Sequence, residues 1–142
     1  MMIAKQVNAA VKINVKMKLK NFKYEEFASP DLPNSGNFMD ATFLAMLDAG
    51  REIAGIPFKI NSAYRTEEYN NTLYKRLGRK QNATKSSHTV GKAVDIHCTD
   101  SRSRWIIITA LQKAGFTRFG IAKTFIHVDS DENKSQDVIW TY

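Results

Sequence analysis

Two strand-like segments near the end of the chain, Phe116–Gly120 and Phe125–Asp129, are joined by only four residues. A parallel crossover needs a dozen or more residues, so these two strands must pair antiparallel. Upstream, helix and strand signals are interleaved. Asp40 is placed to cap a helix in which Phe43, Leu44, Leu47 and Ile53 recur at helical spacing until Gly55 and Pro57 stop the pattern. Phe58–Asn61 reads as a short strand, and Thr66 caps a second helix that runs to Leu77 and is closed by Gly78. Arg79–Ser87 is a polar loop, Ala93–Ile96 a mostly buried strand, and Ser103–Ala114 a helix ended by Gly115. The class that follows is α+β: a small single domain with a central antiparallel sheet flanked by helices.

The length of 142 residues suits one domain and leaves little room for two. Its expected body is 22–142, preceded by a basic segment, 1–21, in which Lys5, Lys12, Lys16, Lys18 and Lys20 accumulate. Val11, Ile13, Val15, Met17 and Leu19 alternate there with Lys12, Asn14, Lys16 and Lys18. That is the period of a strand and lacks the unbroken apolar stretch of a secretory signal. The segment therefore reads as an edge strand with a solvated lysine face, or as an arm that binds an anionic polymer. A net charge of +7 and a pI near 9.6 favour some anionic partner, with nucleic acid, acidic lipid and the bacterial cell wall all open on charge alone. The longest apolar run, Trp105–Leu111, is too short to span a bilayer, so no membrane insertion is expected. A single cysteine, Cys98, excludes an intrachain disulfide and leaves packing or a bound metal to stabilise the fold.

The chemistry concentrates in two stretches, Ser87-His88-Thr89-Val90-Gly91-Lys92-Ala93-Val94-Asp95-Ile96 and Phe125-Ile126-His127-Val128-Asp129. With Val94 and Ile96 turned into the core, Asp95 faces outward; with Ile126 and Val128 turned inward, His127 and Asp129 share the opposite face. His88 ends the polar loop, and Gly91 permits a tight return into the strand. Two imidazoles and a carboxylate can thus converge on the open sheet face. Two nitrogens, one oxygen and a free fourth position are the donor set of a catalytic zinc site rather than a closed structural one. Zinc is the expected cofactor, and its Lewis acidity points to hydrolysis of an amide or ester. His97 shares the parity of Asp95 and is read as solvated, and Cys98 as a small core residue.

These residues carry a resemblance. Together with Ser62-Ala63-Tyr64-Arg65-Thr66, Tyr69-Asn70, Glu25-Glu26-Phe27, Met39-Asp40 and Arg51–Pro57, they resemble the peptidase M15 family of D-alanyl-D-alanine carboxypeptidases and phage endolysins, in order along the chain from Phe22 to Asp129. The hedgehog signalling domain shares the zinc site of that family. The resemblance puts the zinc ligands on His88, Asp95 and His127, one zinc per chain, and an arginine at Arg65 that would hold a substrate carboxylate or polarise the scissile carbonyl. It implies a zinc peptidase acting on the stem peptide of peptidoglycan. Small size, a basic surface and the expected lack of a signal peptide fit a phage endolysin of that family, expected to be a monomer with no nucleic-acid partner and to wait in the cytoplasm of an infected or lysogenic bacterium until it is released to the wall.

The chain departs from many relatives in one place: the glutamate they carry three residues before the last histidine ligand is Thr124 here. Asp129 stands in as the candidate general base, with orientation of His127 as its alternative role. Ser87 and Tyr64 are candidate substrate contacts, Ser87 also being placed to cap its loop. Loss of the glutamate equally allows a zinc-bound module that recognises wall peptide without cutting it.

Overall fold

Among the described residues, a side-chain oxygen takes up an open backbone donor at the N-terminus of each of three helices. The computed structural model describes residues 16–80 and 85–142. Helix α1, Ala41–Ala54, begins where the Asp40 carboxylate accepts the Phe43 N–H at 2.9 Å, and ends at Gly55, whose φ of 68° is the left-handed conformation of a helix C-cap. Helix α2, Glu67–Arg76, starts from the Thr66 hydroxyl, which accepts the Tyr69 N–H at 3.0 Å. Helix α3, Ser101–Lys113, begins two residues before the expected Ser103 because Asp100 is the cap, its carboxylate accepting the Ser103 N–H at 2.8 Å.

Among the described residues, five strands form one sheet: β1, Ile60–Ser62; β2, Ala93–His97; β3, Arg118–Ile121; β4, Phe125–Asp129; and β5, Val138–Thr141. Their order is β1-β2-β4-β3-β5. The first four make antiparallel pairs, as the short connection between β3 and β4 requires. β5 lies parallel to β3, so the sheet is mixed, with an antiparallel centre and one parallel edge. The first strand begins two residues later than its sequence suggests, because Phe58 leaves the ladder to enter the core. Two 3-10 turns, Tyr24–Phe27 and Ser35–Phe38, precede α1.

A single apolar core joins Phe27 and Phe58, the inner side chains of α1 and α3 (Phe43, Leu44, Leu47, Ile107, Leu111) and those of the sheet (Val94, Ile96, Phe119, Ile126, Val128). The two helices meet at Gly50, where a Cβ would stand 2.6 Å from Leu111 Cδ2. α2 contributes only Asn70 to the buried residues and instead walls a cavity on the other side of the sheet.

Of the basic segment, residues 1–15 lie outside the described residues. Residues 16–20 belong to no strand, yet the alternation survives in their packing: Met17 and Leu19 are half-buried against the core while Lys16, Lys18 and Lys20 are exposed. The backbone N–H groups of Lys20 and Asn21 donate to the Asp48 carboxylate at 2.7 and 3.0 Å, tying the segment to α1. Within the polar loop, residues 81–84 also lie outside the described residues.

Gly120 on β3 faces Trp140 on β5, and a Cβ there would stand 2.5 Å from the indole Nε1. Gly120→Ala is therefore expected to destabilise the domain by about 1–3 kcal/mol, the usual cost of overpacking, and to displace Trp140 from the site described below. Urea unfolding with an unchanged slope and a lower midpoint would report it; an unchanged midpoint would show that the indole moves aside freely.

Candidate metal centre

The turn that carries His88 is held from both sides. Gly91, with φ at 73°, comes so close to the start of α1 that a Cβ would sit 2.5 Å from the Phe38 carbonyl oxygen, and its own carbonyl accepts the Asp40 N–H at 2.9 Å. The His88 carbonyl accepts the Arg65 N–H at 3.1 Å. The buried His88 ring donates from Nδ1 to the Ala63 carbonyl at 2.7 Å, which leaves Nε2 as a bare acceptor 3.4 Å from Asp95 Oδ1.

Asp95 on β2 and His127 on β4 are direct cross-strand partners, and His127 Nδ1 lies 2.9 Å from Asp95 Oδ1. The other ring nitrogen, Nε2, bonds Asp129 Oδ2 at 2.7 Å. One donor atom from each of His88, Asp95 and His127 falls within 4.8 Å of the others, and all three residues are buried. Both imidazoles are thus gripped by an oxygen on the side away from the cluster; in His88 this fixes the tautomer that turns a lone pair inward, and in His127 it leaves Nδ1 as the nitrogen that would face a metal. The donor set of two nitrogens and one oxygen, open on one side to a cavity of about 1120 Å3, fits zinc.

Electrostatics follow the same division. Burial drives the His88 pKa below its ordinary value, so this ring is neutral and free to ligate. Burial alone would also lower His127, but its bonds to Asp129 and Asp95 carry it above the ordinary value. Burial would raise the Asp95 carboxyl; the charges and hydrogen bonds of the two imidazoles hold it well below the carboxylate range instead.

Asp129 is 1% exposed and its two oxygens are both engaged. Oδ2 takes His127, while Oδ1 accepts Arg118 Nε at 2.6 Å and the Asp131 N–H at 3.1 Å. Against the opposing effect of burial, the His127 and Arg118 partners keep its pKa low. Arg118 and Trp140 escaped the sequence reading. Arg118 is the cross-strand partner of Asp129, and its guanidinium and the His127 ring both lie against Trp140, at 5.0 and 5.5 Å. Neither has a local signal; each is visible only once β3 and β5 are in register with β4.

Arg65 is buried beneath the same cavity. Nε donates to Ser62 Oγ at 2.9 Å, Nη1 to Asn70 Oδ1 at 3.2 Å and Nη2 to Asp95 Oδ2 at 3.4 Å. Three of its five N–H groups are used in this way. Ser87, 2% exposed, donates to Asp131 Oδ2 at 2.8 Å and accepts from Lys134 Nζ at 2.8 Å. Tyr64 is placed elsewhere: its ring packs on the exposed Phe38 at 5.6 Å and does not line the cavity. Tyr74 does line it, along with Phe125, Trp140 and Tyr142. Thr124 is exposed and outside the cavity, its carbonyl accepting the Cys98 N–H at 3.0 Å. His97 is exposed and Cys98 is buried.

Cations outnumber acids around the cavity, with Arg65, Arg79, Lys80, Lys85, Arg118 and Lys134 facing Glu67, Asp95 and Asp129. An α+β domain with a His-Asp-His cluster on the sheet face, open to a groove of this size, has the makings of a hydrolytic metalloenzyme. The model of the Peptidase M15 family matches residues 20–129, and the chain belongs to that family. Its members are zinc-dependent peptidases, which makes this chain a hydrolase by family. No curated protein matches it. Among the described residues, no helix is long and apolar enough to cross a membrane.

Proposed function

We propose that the protein is a zinc peptidase that hydrolyses peptide bonds in bacterial peptidoglycan, as an endolysin or carboxypeptidase does. The observation that carries this reading is the convergence of His88, Asp95 and His127 at the floor of a cation-rich groove. Zinc held there supplies a Lewis acid that polarises the scissile carbonyl and acidifies water. The chain's own residues then divide the work. Asp129 holds the His127 ring in place, and Arg118 holds Asp129. Arg65 braces Asp95 through one Nη2 hydrogen, and the two N–H groups it has not used are available to substrate oxygen. Cationic walls suit the carboxylates of a stem peptide, and on the wall itself the net charge of +7 favours retention. Expression in an infected bacterium, with release to the wall at lysis, belongs to the same reading.

The engaged oxygens of Asp129 favour a second reading, a wall-peptide-binding module with weak or no hydrolysis. Beyond Asp95 and Asp129, the carboxylate lining the cavity among the described residues is Glu67, which is exposed and ion-paired to Lys85 at 3.1 Å. Digestion of purified peptidoglycan with and without chelator, with mass identification of new termini, separates the two. Chelator-sensitive release of peptide ends supports the peptidase and names the bond cut; retention on the wall without new ends supports the module.

Arg65→Lys is expected to keep zinc and the fold while kcat/KM falls at least tenfold, about 1.4 kcal/mol, because a point charge cannot reproduce the guanidinium fork. Wild-type kinetics in that variant would remove Arg65 from the site.

A further inference from the structure

The loop between β4 and β5, 130–137, folds back toward the metal centre and is tightly tied. Asp131 Oδ1 accepts the Asn133 N–H at 3.2 Å. Gln136 Nε2 donates to the carbonyls of Asp131 and Lys134 at 3.0 and 2.8 Å, and Gln136 Oε1 accepts from Thr117 Oγ1 at 2.9 Å. The Arg118 Nη1 group donates to the Ser135 carbonyl. Through this loop the Lys134 side chain, about one quarter exposed, is brought into the lining of the cavity.

Its ammonium is placed rather than loose. Nζ lies 2.8 Å from Ser87 Oγ, next in sequence to the ligand His88, and 3.6 Å from Asp131 Oδ2. Asp131 is its ion-pair partner, and the same carboxylate also accepts the Ser87 hydroxyl at Oδ2, at 2.8 Å, and the Asn133 N–H at Oδ1. An ammonium has three donors, and the short bond to Ser87 uses one of them. With one donor on Ser87 and the Asp131 oxygen at 3.6 Å, the ammonium keeps donor capacity while lining the same cavity as the metal ligands.

We infer that Lys134 is a specificity-determining residue that grips a carboxylate of the substrate, making the enzyme select peptides with a free carboxylate near the scissile bond over their carboxamides. The inference rests on the peptidase reading above. Two carboxylates of a stem peptide have this chemistry, the C-terminal one and the α-carboxylate of the isoglutamyl residue.

Three synthetic stem peptides test it: one with both carboxylates free, one amidated at the C-terminus and one amidated at the isoglutamyl position. The zinc-loaded protein and its Lys134→Met variant are compared by kcat/KM for each peptide and, for any peptide that survives intact, by calorimetric affinity. The wild type should prefer the free peptide over one of the amides by tenfold or more. In Lys134→Met that ratio should fall to about one, mainly through KM. The amide that is discriminated against identifies the carboxylate. Lys134→Arg, which keeps a cation in place, should retain the preference. An equal ratio in wild type and Lys134→Met overturns the inference, as does a variant that weakens all three peptides alike, the signature of loop support. Loss of the preference in Lys134→Arg as complete as in Lys134→Met overturns the charge argument. If the wild type cleaves neither the peptides nor peptidoglycan, the peptidase reading fails, and the affinities still decide the role of Lys134.

Discussion

His88→Ala and His127→Ala are each expected to abolish zinc binding and hydrolysis together, with metal content falling from about one per chain to near zero in the purified proteins. Three protein donors leave no spare. His88 Nε2, Asp95 Oδ1 and His127 Nδ1 lie close enough that removing any one opens the cluster to water. The two variants should differ in a second measurement. Because His127 bonds both Asp95 and Asp129, its loss takes a partner from two buried carboxylates, while loss of His88 takes one from Asp95 alone and frees the Ala63 carbonyl. His127→Ala should therefore unfold at lower temperature than His88→Ala even when both are metal-free. Chelator added to the wild type should lower its unfolding temperature, since zinc binds the folded state selectively. Elemental analysis showing full zinc in either variant would sink the ligand set.

The second large effect is expected at Asp129. Asp129→Ala removes the partner of Arg118 at 2.6 Å and leaves a buried guanidinium uncompensated, for which about 3–5 kcal/mol of stability is the expected loss. Asp129→Asn keeps the size and separates two roles. As the residue that positions His127, its loss should weaken zinc affinity by roughly 10–100-fold, with activity recovered in excess zinc. As a general base, its loss should leave zinc bound while kcat falls by roughly 10²–10⁴. A zinc titration of Asp129→Asn followed by activity reads both. The hydrogen bonds to both oxygens support the first outcome, and a zinc-saturated variant that stays inactive would reverse that assignment.

What the sequence makes legible here is what short range decides. Asp40, Thr66 and Gly55 act on the backbone within a few residues of themselves, so their caps can be read before any tertiary structure exists. The convergence of Asp95 and His127 is legible because Val94, Ile96, Ile126 and Val128 can be buried only one way, and the alternation then fixes the opposite face. What stayed hidden depends on strand neighbours. β5 has four residues, and its partner β3 lies beyond β4 in the chain, so nothing local marks it. Trp140, Arg118 and the engagement of Asp129 all follow from that unseen edge. Tyr64 looked like a groove residue from its place beside Arg65, yet the chain turns its ring to Phe38 instead. Thr124 stands where many relatives carry the glutamate, but it is exposed and does not line the cavity.

The direct pairing of Asp95 with His127 also bears on how the sheet is assembled. A slip of β4 by one residue against β2 would turn His127 and Asp129 into the apolar core and expose Ile126 and Val128, leaving Asp95 on the open face without its partner. In that misaligned ladder the cluster has no counterpart. Metal bound at the cluster would therefore favour a single alignment of the two central strands, so that the proposed zinc would proofread the fold as well as serve the proposed reaction.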